Sequence, residues 1–126
     1  MKSIRLTILI AATLCIARVA VFADEHPTAP APAPAVVTVT GEVLDMACYL
    51  DHGAHGEKHA SCAKTCIESG LPVGIKTADG KVFLIIGEHK PLNKELAEFA
   101  AKTITIKGKL VTRDGISLIA NAEIVK

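Results

Sequence analysis

Two stretches of this chain alternate apolar and polar residues straight through an internal glycine: Thr38-Val39-Thr40-Gly41-Glu42-Val43 and Thr105-Ile106-Lys107-Gly108-Lys109-Leu110. A period of two puts successive side chains on opposite faces, so each stretch is a half-buried β-strand. Glycine weakens a strand interior unless the strand must bend sharply or admit another backbone at close range. Long strands in small barrels make that demand. The pair points to a sheet that closes on itself, with a split α+β sheet as the competing arrangement.

The remaining segments supply an order. Pro72 to Thr77 and Lys81 to Ile86 flank Ala78-Asp79-Gly80, a hairpin signal. Leu92, Leu96 and Phe99 fall at i, i+4 and i+7, a helical stripe opening near Lys90 with Asn93 as its expected N-cap. Arg113-Asp114-Gly115 turns the chain, and Ile116, Leu118, Ala120, Ala122 and Ile124 form the inward set of a last strand. Another helix is expected from about Lys58 to Ser69, closed by Gly70 with Pro72 beyond it. Set that helix aside, and three strands, a helix and two strands remain, the order of an OB-type barrel. The expected fold is mainly β with two helices. It is an OB-type five-stranded barrel over residues 36–126, with a Cys/His-bearing helical insertion at about 45–70 after the first strand. The core alternation of the five strands does not draw on that insertion.

The residues before the barrel carry a different pattern. Lys2 and Arg5 precede a short apolar run from Leu6 to Ile16, and Val21-Phe22-Ala23 reads as a cleavage site. Residues 1–23 are therefore an expected signal peptide, and the protein is expected to be exported, periplasmic or secreted. The run is short for a membrane span and Arg18 interrupts it, so no stable span is expected after cleavage. Residues 24–35, DEHPTAPAPAPA, form a Pro/Ala-rich spacer of extended geometry. Removing Lys2, Arg5 and Arg18 from the 14 basic residues leaves 11 against 13 acidic ones, a charge of −2 instead of +1. With aromatic residues at only 3%, neither bulk charge nor stacking platforms support a nucleic-acid partner.

Cleavage also removes Cys15 and leaves Cys48, Cys62 and Cys66. An odd count in an exported chain means a free thiol, an intermolecular bridge, or an ion that holds all three. In the expected helix His59, Cys62 and Cys66 fall at i, i+3 and i+7, on one face. Cys48 follows the first strand and is placed to close the set. Three thiolates and an imidazole form a common tetrahedral zinc set, and cuprous copper also prefers thiolate. The candidate metal ligands are Cys48, His59, Cys62 and Cys66, with His52, His55 and Met46 as further donors, for one zinc or copper ion. Asp45 and Asp51 flank Cys48 and can orient a ligand from outside.

Two other readings stay open. A disulfide from Cys48 to either helical cysteine would staple the insertion, whereas Cys62 and Cys66 on consecutive turns of one helix are poor partners. Alternatively, Cys62 attacks as an exchanging thiol, activated by Lys58, Lys64 or a histidine, and Cys48 or Cys66 resolves. No Ser-His-Asp set, phosphate-binding glycine loop or paired-carboxylate site stands out, which weighs against an enzyme.

The string Gly41-Glu42-Val43-Leu44-Asp45-Met46-Ala47-Cys48, then His59-Ala60-Ser61-Cys62-Ala63-Lys64-Thr65-Cys66, then Gly70-Leu71-Pro72-Val73-Gly74 resembles a group of short exported bacterial proteins of unassigned activity. Their shared pattern is G-x-V-x-D-x-x-C, H-x-x-C-A-x-x-C, G-x-P-x-G. The resemblance spans nearly all of the domain and implies an exported bacterial protein defined by its cysteine segment.

Overall fold

Pairing between the two glycine-bearing strands organises the chain. The computed structural model describes residues 34–125. Its elements run β1 (Ala35–Asp45), α1 (Met46–His52), a 3₁₀ turn (Glu57–His59), α2 (Ala60–Glu68), β2 (Val73–Thr77), β3 (Val82–Ile85), α3 (Asn93–Ala97), β4 (Thr103–Arg113) and β5 (Ile116–Val125). The expected signal peptide, and the spacer up to residue 33 with His26, lie outside the described residues.

The five strands close into a barrel in the order β1-β2-β3-β5-β4. All pairs are antiparallel except β3 with β5, which run parallel. This is the OB-type topology that the element order predicts. β1 is gripped on both sides near Gly41, which lies opposite Ile104 of β4 and Thr77 of β2. A Cβ at Gly41 would strike the Lys76 carbonyl, and one at Gly108 would sit 2.6 Å from Ile119 Cγ2 and 2.8 Å from the Ala120 oxygen. Both glycines are therefore points of close strand approach.

The last strand departs from the expected alternation. Its register against β4 slips between Lys107 and Lys109, where Asn121 adopts φ 51°. The extra residue is a β-bulge, and it shifts the inward phase. Ile119 is fully buried in place of Leu118 and Ala120, while Ala122 and Ile124 keep their inward places.

The insertion is part of the core, contrary to the expectation from the strands alone. Ala63 and Ile67 of α2 join Val43, Ile75, Ile106 and Ile119 in one apolar cluster with Leu96 and Ala97 of α3. Glu42 accepts a hydrogen bond from the Gly56 N–H, and Lys64 of α2 pairs with Glu98 at 2.8 Å. Asn93 does not cap α3: its Nδ2 donates to the Ile67 and Leu71 carbonyls at 2.8 Å each, tying down the end of α2. Among the described residues no helix is long and apolar enough to cross a membrane.

Candidate metal centre

The centre grows from the point where β1 ends. Asp45 leaves the strand with extended backbone, and its carboxylate accepts hydrogen bonds from the Ala47 N–H at 3.0 Å and the Cys48 N–H at 3.4 Å. That is an N-cap, and it starts a short helix ahead of the one expected from about Lys58. Cys48 consequently sits in the first turn of α1, not at the strand end. Gly53, at φ 71°, closes α1, and its N–H donates to the Tyr49 oxygen. The chain then returns through the 3₁₀ turn to α2, where His59 precedes the first helical residue and Cys62 and Cys66 follow on consecutive turns. Gly70, at φ 98°, ends this helix, with the Leu71 N–H donating to the Cys66 carbonyl.

Two helices thereby bring the donors together. The sulfurs of Cys48, Cys62 and Cys66 all lie within 4.8 Å of one another. The Cys48 sulfur also shares a 4.8 Å grouping with a ring nitrogen of His59 and a carboxylate oxygen of Asp45. A tetrahedral ion with ligand bonds of ~2.3 Å needs sulfurs ~3.8 Å apart, so the three thiols require only small movements to share one. Cys48 belongs to both groupings and joins the histidine to the helical thiols. All three thiols are free, and no disulfide forms among them.

Burial sharpens the picture. The His59 Nε2 is enclosed and has no hydrogen-bond partner. Asp45 is 1% exposed, the one buried charged side chain among the described residues, and the ion pairs there engage Asp51, Asp79, Glu68 and Glu98 instead. Cys62 is exposed, while Cys48 and Cys66 are half-buried, so the centre opens to solvent at one edge. The hydrogen bond to Asp45, then burial and the carboxylate's charge, push the Cys48 thiol up to about 12. Burial and the Asp45 charge also raise Cys66. Burial works to raise Asp45 too, but hydrogen bonds from the Cys48 thiol, two backbone N–H groups and the Cys66 thiol outweigh it and hold Asp45 low. Asp45 is the functional residue that the sequence reading placed outside the ligand set.

His52 and His55 fall in neither grouping. His52 is exposed and pairs with Asp51 at 3.1 Å, its ring edge-on to His59 with centroids 6.4 Å apart. His55 is exposed, engages the Gly53 carbonyl at 2.7 Å, and sets its ring against Tyr49. Met46 is buried with its sulfur packed onto Gly74, where it fills the core. Lys64, a candidate activator of Cys62, is engaged by Glu98 and Glu68. No family model, curated protein or solved structure matches the chain.

Proposed function

We propose that this is an exported metal-binding protein that holds one soft or borderline ion, zinc or copper, through Cys48, His59, Cys62 and Cys66. The observation that carries the reading is the convergence of three free thiols within 4.8 Å, next to a histidine whose Nε2 is buried without a partner. Buried polar nitrogens are nearly always satisfied, and a metal ion is a partner that would satisfy this one. Export rests on the N-terminal sequence pattern and on the resemblance to short exported bacterial proteins. The thiol-exchange alternative is weaker, because Lys64, one of the groups that would activate Cys62, is engaged by Glu98 and Glu68 instead.

Native mass spectrometry of mature protein from the exporting compartment tests the proposal. The expected result is a mass increment of one metal ion, lost on Cys48→Ser. A chain lacking two hydrogens and carrying no metal would refute it in favour of a disulfide.

A further inference from the structure

Asp45 is a buried carboxylate without a cationic partner among the described residues. It shares a 4.8 Å grouping with the Cys48 sulfur and a His59 nitrogen. Buried carboxylates are paired or coordinate a cation. Its hydrogen-bond donors are the backbone N–H groups of Ala47 and Cys48, and the Cys48 sulfur lies within 4.8 Å of it. Thiolate ligation would place like charge beside the carboxylate while its two backbone N–H donors remain, and the bound ion would be the positive charge brought next to it.

We propose that Asp45 makes this centre selective for a dication, so that zinc(II) is favoured beyond what the thiolates and imidazole alone would give over copper(I). The inference rests on the metal-binding reading and adds a specificity-determining residue to it. Thiolate ligands accept both ions, and imidazole suits either metal, so those four side chains discriminate weakly. A carboxylate oxygen is an ordinary zinc ligand and is not among the soft donors that select copper(I). Even from outside the ligand set, a fixed negative charge attracts a +2 ion twice as strongly as a +1 ion at the same distance. The preference therefore scales with ionic charge, whether or not the Asp45 oxygen reaches the metal.

The test compares the mature chain with Asp45→Asn and Asp45→Ser. Both replacements are neutral N-cap residues, so the start of α1 is kept, and circular dichroism verifies the fold. Affinities for zinc(II) and copper(I) are measured separately, each by competition with a chelator of matched strength. In logarithmic terms the zinc(II) loss should be twice the copper(I) loss: about 100-fold where copper(I) falls about tenfold. Equal losses for the two ions in both variants would reduce Asp45 to a helix cap, and unchanged zinc affinity would remove it from the centre altogether. Failure of the unaltered chain to hold either ion would overturn the metal-binding reading itself, and this inference with it.

Discussion

Ile67→Ala tests whether the barrel core carries the cysteine segment. Ile67 has no exposed surface and sits one residue beyond Cys66, in the cluster with Val43, Ile75 and Leu96. The substitution removes three carbons, which at ~0.8 kcal/mol each sets a floor of about 2.5 kcal/mol. A cavity left at the junction of α2, α3 and the strands adds to this, within the ~2–5 kcal/mol typical of such truncations. We expect about 3–4 kcal/mol. In a small domain each kcal/mol lowers Tm by ~4–8 °C, so the fall is roughly 12–30 °C. Circular dichroism and urea unfolding of the metal-free protein measure it, with proteolysis of the 45–70 segment followed in parallel. Barrel and segment should lose structure together in one transition. A loss below ~1 kcal/mol, or early cleavage of the segment while the strands stay folded, would show that the insertion is an appendage and that our assignment of Ile67 to the core is wrong.

Three further outcomes follow from the same geometry. Asp79 accepts hydrogen bonds from Lys81 and Thr77, which hold its carboxyl down to about 2. Its contribution to stability should be present above the ordinary carboxylate value of ~3.9 and vanish as pH falls through about 2; an NMR titration midpoint near 4 would contradict this. Cys48 is raised to about 12, so the metal-free protein should lose stability as pH rises above the free-thiol value of ~8.5. Thermal melts across that range should show this slope reduced in Cys48→Ser, and an unchanged slope would discount the Asp45–Cys48 contact. Mild oxidation of the metal-free protein should give disulfides from Cys48 to Cys62 or Cys66. Peptide mapping that finds Cys62 joined to Cys66 within an intact α2 would contradict the helix geometry.

Local signals made the strands and the ligand spacing readable. Alternation through Gly41 and Gly108 marked two bent strands, and the spacing of Cys62 and Cys66 put them on consecutive turns of one helix. His59 falls in the turn before it and groups with Cys48 and Asp45. What escaped depends on distant contacts or on single residues. Asn121 takes a left-handed conformation and shifts the phase of β5, a choice that apolar alternation does not encode. α1 spans seven residues, too few for a periodic stripe, although its start and stop signals, Asp45 and Gly53, stand in the sequence. Asn93 looks like a cap, but its amide is used across the fold on the carbonyls of Ile67 and Leu71. In sequence, His52 and His55 resemble His59. In the fold His52 turns to Asp51 and His55 to the Gly53 carbonyl. Sequence separates Asp45 from Asp51 no further than their flanking of Cys48; the fold does, by burying Asp45 beside Cys48 and His59 and leaving Asp51 exposed.

The arrangement of α2 bears on what an ion there would do. Cys62 and Cys66 are each followed by a core residue, Ala63 and Ile67, so two adjacent strips of one short helix serve the centre and the barrel. Cys48 is fixed from the other side by the Asp45 cap, whose backbone hydrogen bonds require no ion. The donors are therefore gathered by packing and capping before any metal binds. Many small metal domains instead use the ion to pull an unfolded chain together, and their metal-binding energy is their folding energy. Here most of the ordering entropy is already offset by apolar burial at the barrel end, so binding is left with small adjustments of side chains. The exposed thiol of Cys62 leaves one edge open to an incoming or competing ligand. A preassembled, edge-open site of this kind is suited to exchanging its ion while the fold stays intact, which argues for reversible loading over a purely structural staple.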